Sequence, residues 1–318
     1  MSGPRLGTGA APGKVVLFGE HAVVYGRPAV AAVLGCGLGA TVEAGEAGAV
    51  LSIPRWGKTG LVIRLADDRG IEAIARAFRI ALGGVGLDAE SPVHVTLAGR
   101  LPLGVGLGSS AAFAVSVLRG LADYSGVQLS LEALMAGAQA VEEVFHGNPS
   151  GMDHTVVTHG GCLRFQRERT PAFVPIRCAR PVPVVIASTP RQGTTREAVD
   201  RLRARWRAQP KPHERLFDTM AEITEAGIEA LAEGDLGALG TLFDLNHGCL
   251  SACGVSSLEN ETMVHIARNA GALGAKLTGA GHGGAIVAVT PERGDDVATA
   301  LLEAGFAAFR TVVGGEPS

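Results

Sequence analysis

The spacing of apolar residues along the chain changes several times, and each change marks an element. Residues 14–18 (KVVLF) form a run without polar alternation, as expected of a buried strand, and the run stops at Gly19-Glu20-His21. A second apolar stretch, AVVYGRPAVAAVL, is broken by Gly26 and Pro28. Alternation in residues 40–44 and 61–65 predicts antiparallel strands with one face in water. Residues 71–82 carry apolar side chains at helical spacing, and residues 93–97 alternate like a strand. The strand delivers the chain to LPLGVGLGSSAAFA, residues 101–114, where three glycines precede two serines and an Ala-led apolar segment. The pattern predicts a glycine-rich loop feeding the N-terminus of a buried helix. Such an end presents unpaired N–H groups and the positive pole of the helix, and so holds phosphate well.

Farther on, Ser130 is placed to cap a helix over LEALMAGAQAVEEVF that stops at Gly147. A polar loop, residues 146–153, and a short segment to Gly160-Gly161 lead to the strand CLRFQ. Prolines at 175, 181 and 183 mark a change of texture, and VPVVIAST opens the second half; the expected domains are 1–180 and 181–318. Residues 191–215 are strongly basic, which reads as a solvated helix face or as a flap over anionic ligands. Helical spacing fills 213–233, 236–250 and 257–272, and a last helix spans about 292–304. Between them, strand 275–278 reaches Gly279-Ala280-Gly281-His282-Gly283-Gly284 and leaves through AIVAVT. These glycines match a dinucleotide fingerprint, but a strand follows where that fingerprint needs a helix. The segment is read instead as a glycine turn that lets backbone approach closely.

Composition narrows the function classes. The chain has 318 residues, 47% hydrophobic and 19% charged, enough for two domains or one large one. A net charge of −3 gives no general attraction to nucleic acid or anionic membrane. No apolar run approaches the roughly 18 residues of a membrane span, and the start lacks a signal-peptide layout. The five cysteines complete no zinc pattern and read as reduced packing residues. The expectation is a soluble, cytoplasmic protein.

Phosphoryl transfer from a nucleotide needs a phosphate cradle, Mg²⁺ ligands, a cation to offset charge and an acceptor for the substrate proton. The chain offers candidates for each. The glycine loop is the cradle, Ser109 and Ser110 with Glu142 are oxygen ligands for Mg²⁺, Lys14 is the cation and Asp153 the base.

The motifs APGKVVLFGEHAVVYG (11–26), PLGVGLGSSAA (102–112) and KLTGAGHGGA (276–285) resemble, in order and spacing, the three motifs of the GHMP kinases. HGNPSGMDHTVVTHGG (146–161) is similar to the mevalonate kinase branch in particular. The third motif departs at His282, where the family usually has glycine, and at Ala285, where cysteine is common. The resemblance implies an α+β, two-domain fold, with an N-terminal S5-like domain and a C-terminal ferredoxin-like domain. It implies ATP:mevalonate 5-phosphotransferase activity with ATP and Mg²⁺, and a family tendency to homodimers. On the same basis Asp153 is the catalytic base and Lys14 polarises the acceptor hydroxyl. Ser110 and Glu142 bind Mg²⁺. The loop of Pro102, Gly104, Gly106, Leu107, Gly108, Ser109, Ser110, Ala111 and Ala112 surrounds the triphosphate. Glu20, His21 and Thr195 serve the acceptor. Two rival readings stay open: a family kinase with another acceptor, such as phosphomevalonate or a sugar, and a non-catalytic paralogue.

Overall fold

The computed structural model describes residues 5–314 except 56, 58, 68–71, 103, 148–149, 167–171 and 193–194; the side chains of 67, 190–192 and 195–196 are also outside the description. The chain forms two compact units that interleave in sequence. One comprises Met1–Gly13, Cys36–Gly104 and Gly108–His159, the other Lys14–Gly35, Val105–Leu107 and Gly160–Ser318. Strands β1 (Gly7–Phe18) and β2 (Ala29–Ala44) each contribute one end to either unit.

In the first unit, β3 (Val50–Ile53) pairs antiparallel with β4 (Leu61–Arg64), and helix α1 (Glu72–Gly83) follows. Strand β5 (Val93–Gly99) lies between β3, which it meets in parallel, and the second half of β2, which it meets antiparallel from Leu38↔Gly99 to Ala44↔Val93. Helices α2 (Ser109–Ser125), α3 (Leu131–His146) and α4 (Met152–His159) pack on one another, and α1 packs on α2 and α3. Eleven residues of α2 from Ala111 to Ala122 are buried, so it is the central helix of the unit, as its apolar character all round requires. Ser130 caps α3 by accepting from the Ala133 amide, and Gly147 closes it, both as the sequence predicts.

In the second unit, β1 ends in a single 3₁₀ turn, Ala22–Tyr25, before the first half of β2. That half pairs with β6 (Cys162–Phe165), which pairs with β7 (Phe173–Ile176). Strand β8 (Val182–Gln192) leads into helices α5 (Thr195–Ala208), α6 (Pro210–Glu233), α7 (Leu236–Ala252) and α8 (Leu258–Asn269). The chain returns through β9 (Gly274–Thr278), β10 (Gly283–Val289), α9 (Gly294–Glu303) and β11 (Ala307–Val313). The strand order is β11-β8-β10-β9, each neighbour antiparallel. One face is covered by α8 and α9 through Val185, Met263, Val264, Ile286, Val297 and Leu301. A second cluster joins Leu202 of α5 to Phe217, Met220, Leu250, Val255 and Leu277.

The basic segment therefore includes a packed helix: Ala198 and Leu202 of α5 are buried while Arg201, Arg205 and Arg207 are exposed. Strands β3, β7 and β11 and helix α4 do not stand out in the sequence pattern. Helix α4 holds the β-branched run Thr155-Val156-Val157-Thr158, which has modest helix propensity, and burial of that run supplies the stability. No described helix is long and apolar enough to cross a membrane.

Candidate active site

In the glycine loop, Gly104, Gly106 and Gly108 all have positive φ. Gly108 is the decisive one: at φ 71° it sits at the N-cap of α2 in left-handed geometry and offers no side chain to cap the helix. The first helical bond runs from the Ala112 amide to the Gly108 carbonyl at 2.9 Å. The amides of Ser109, Ser110 and Ala111 thus stand ahead of the ladder, where an anion finds both donors and the helix pole. Ser109 Oγ accepts from the Gly104 amide at 3.1 Å and curls the loop. Leu107, Ala111 and Ala112 are buried and anchor it, and Pro102 precedes it, half-buried. Beside the loop, a cavity of about 540 Å³ is lined by Ile53, Arg55, Leu97, Arg100, Leu101 and Gly104, among others.

Ser110 and Glu142 meet although 32 positions apart, because α2 and α3 pack together: Ser110 Oγ donates to Glu142 Oε1 at 2.8 Å. His146 Nε2 lies 3.0 Å from the same hydroxyl, and His154 Nδ1 lies 3.3 Å from Glu142 Oε2. Glu142 is 1% exposed. Burial alone would push its carboxyl up, but the hydrogen bonds from His154 and Ser110 and the two nearby imidazoles prevail, and it sits below the ordinary glutamate value. Glu142 is therefore a buried carboxylate, not a solvated helix end. Asp153 is half-buried in the first turn of α4. Ser150 Oγ shapes the approach to it by accepting from the Met152 amide at 3.3 Å; residues 148–149 of this loop lie outside the described set.

In the second unit, Lys14 is buried on β1, and its amide donates to the Leu107 carbonyl at 2.9 Å, which ties the strand to residues of the glycine loop. Glu20 is 3% exposed, and its carboxylate accepts from Lys276 Nζ on one oxygen and from Asn246 Nδ2, at 3.1 Å, on the other. His21 is held at φ 61° with Nε2 2.9 Å from the Ala280 carbonyl. Burial outweighs that bond and pushes its pKa down, so the ring is neutral near pH 7. The turn between β9 and β10 is the close approach the sequence predicts: a Cβ on Gly281 would lie 2.1 Å from the Val255 carbonyl oxygen. His282 adopts φ 53°, and its amide donates to the Val255 carbonyl at 2.8 Å. Thr195 opens α5, and its side chain lies outside the described residues.

Within the first unit, Ser110 and Glu142 come together as expected; in the second, Glu20 and His21 both lie against residues of the β9 strand and its turn. Sequence reasoning missed His146, His154, Asn246 and Lys276 as members of these networks. His146 and His154 were visible inside the loop motif, and Lys276 begins the third motif. No local signal paired any of them with its partner.

The GHMP kinases N terminal domain model matches residues 69–161, and the GHMP kinases C terminal model matches residues 228–307. A mevalonate kinase of Thermococcus sibiricus is 35% identical over 312 residues, covering 93% of this chain and 92% of that protein. The chain belongs to the GHMP kinases. A mevalonate kinase of Methanothermobacter thermautotrophicus is also 35% identical, over 92% of this chain and 93% of that one. The crystal structure of L. major mevalonate kinase in complex with R-mevalonate matches with a TM-score of 0.84 at 30% identity, over 100% of this chain and 98% of that chain. Lactococcus lactis galactokinase shares the fold at a TM-score of 0.72 and 19% identity. As a GHMP kinase the chain is an ATP-dependent small-molecule kinase with the family's α+β, two-domain fold.

Proposed function

We propose that this kinase transfers the γ-phosphoryl group of ATP to the C5 hydroxyl of (R)-mevalonate, giving 5-phosphomevalonate and ADP. The observation that carries this reading is the near-full-length likeness to mevalonate kinases. The HGNPSGMD loop, which brings Asp153 to the start of α4, supports it.

In this reading the bond from the C5 oxygen to phosphorus forms as the γ-phosphorus leaves the β-phosphate oxygen, and the hydroxyl proton passes to Asp153. Lys14 offsets the charge of the transferring group. The amides of Ser109, Ser110 and Ala111 hold the phosphates, and the cavity beside Gly104 takes the nucleoside. Ser110 Oγ and Glu142 Oε1, 2.8 Å apart, form the kind of hard oxygen donor pair that Mg²⁺ takes together with waters and phosphate oxygens. Mg²⁺ held there would supply charge neutralisation on the phosphates. Because His21 is neutral near pH 7 and its Nε2–H faces the Ala280 carbonyl, the ring nitrogen left to the acceptor is Nδ1, which would accept from an acceptor hydroxyl and not bind a carboxylate.

The test is ADP release with Mg·ATP against mevalonate, phosphomevalonate, homoserine and galactose. Turnover on mevalonate alone is the expected result; turnover confined to another acceptor overturns the substrate. Asp153→Ala is expected to lose roughly 10²–10⁴-fold in kcat, the usual share of general-base catalysis, while still binding Mg·ATP. Full turnover in that variant would remove Asp153 from its role.

A further inference from the structure

Every residue of β9, GAKLT, is buried, and Lys276 at its centre has no exposed surface. A strand of that kind calls for an apolar side chain, because an ammonium removed from water is costly unless it is paired and hydrogen-bonded. Lys276 is both. Its Nζ donates to Glu20 Oε1 and, at 2.8 Å, to the Leu277 carbonyl, and lies 5.7 Å from the centre of the Phe243 ring. Asn246 of α7 takes the second oxygen of Glu20.

The consequence falls on the chain segment before and after Glu20. Residues two apart on a strand share a face, and the neighbours of Lys276 reach the same segment. Thr278 Oγ1 accepts from the Val16 amide at 3.1 Å and donates to the Val16 carbonyl at 2.9 Å. The Ala280 carbonyl, in the turn that follows, faces His21 Nε2. Val16, Glu20 and His21 are thus fastened in turn to residues 278, 276 and 280. His21 bears a β-carbon at φ 61°, a conformation that persists only where its surroundings over-determine it. Glu20, with both oxygens engaged and 3% of its surface exposed, has little to offer a ligand directly.

We propose that Lys276 and Asn246 are positioning residues for the acceptor: they clamp the Glu20 carboxylate and thereby hold His21 in its strained conformation. The proposal rests on the acceptor-binding role given above to the Glu20-His21 segment. Lys276 has no exposed surface to offer a substrate, so its effect passes through Glu20 and His21 and belongs in acceptor binding and not in ATP binding.

The test compares Lys276→Met, Glu20→Gln with Lys276→Met, and Asn246→Ala. Lys276→Met leaves a buried carboxylate unpaired and is expected to lower Tm. The double variant removes that charge and is expected to recover Tm, while the mevalonate KM stays about 10-fold or more above wild type, the scale of a lost charge-assisted hydrogen bond. The ATP KM should remain unchanged. Recovery of the mevalonate KM together with Tm would show the pair to be structural only and overturn the proposal. Asn246→Ala keeps the ion pair intact and should raise the mevalonate KM alone; an unchanged KM there counts equally against it. Wild-type silence on mevalonate would be a failure of the acceptor reading, and the clamp then has its own readout. The His21 ring nitrogens, assigned by NMR from a His21→Gln control, should show the Nε2–H tautomer in wild type and a mixed population in the double and Asn246→Ala variants. Unaltered His21 signals in both variants would overturn the clamp whatever the substrate.

Discussion

His247 sits between two elements that leave its ring no room for a second proton. Its Nδ1 accepts from the Leu277 amide at 3.3 Å, which directs Nε2–H to Glu261 Oε2 at 3.2 Å. Burial dominates and pushes its pKa down, as it does for His21 and for His282, where Arg201 adds to the effect. The unfolded chain therefore binds more protons than the folded one once pH falls through about 6.5, the ordinary histidine value. Stability from these neutral rings is fully present above that pH and is lost on acidification, by at most about 1.4 kcal/mol per pH unit for each excess proton. Tm measured from pH 7.5 to 5 should fall, and His247→Gln should flatten the slope. Glu142, with its pKa lowered, adds in the same sense only below its ordinary value near 4.5. Ser110→Ala removes the hydroxyl from that carboxylate. In the proposed Mg²⁺ role it should raise the Mg²⁺ concentration for half-maximal activity about 10-fold or more, as a Mg²⁺ titration would read. The Ser110–Glu142 pairing was legible because Ser110 stands in the glycine-loop motif and Glu142 only four residues before the 146–161 motif. The Glu20–Lys276 pairing was not, since its partners lie 256 positions apart and a lone lysine in an apolar strand carries no mark of its counter-ion.

Elements with a strong period and chemical punctuation were readable from the chain. Helix α3 has both: an apolar stripe, Ser130 at its start and Gly147 at its end. Helix α8 opens with a full capping box, in which Ser257 Oγ accepts from the Asn260 amide and Asn260 Oδ1 accepts from the Ser257 amide. Ser130→Ala should cost about 1 kcal/mol in urea unfolding, the usual worth of an N-cap. Helix α4 and strand β11 were not readable. Eight residues rich in Val and Thr do not specify a helix alone, and AAFRTVV gains its register only by lying along β8 from Ala307↔Ser188 to Val313↔Val182. Helix α5 looked like a charge run because its apolar contribution is confined to few positions, Ala198 and Leu202 among them.

For the molecule as a whole, nucleotide binding is expected to report on folding. A ligand that binds only the folded state adds about 2.7 kcal/mol of stability at 100 times its Kd. Tm should therefore rise with the logarithm of Mg·ATP concentration in calorimetry, and a flat response would argue against a nucleotide site. The family, and with it the α+β fold and kinase chemistry, was written in three short motifs whose order and spacing survive in one dimension. A phosphate loop can be read this way because its chemistry is local: glycines with positive φ and the amides that follow are neighbours in the chain. Tertiary structure alone decided how the chain passes between its two compact units, which histidines stay neutral, and that Glu20 is clamped and not open. Those outcomes depend on desolvation and on side chains meeting across hundreds of residues, and neither quantity exists until the chain has folded.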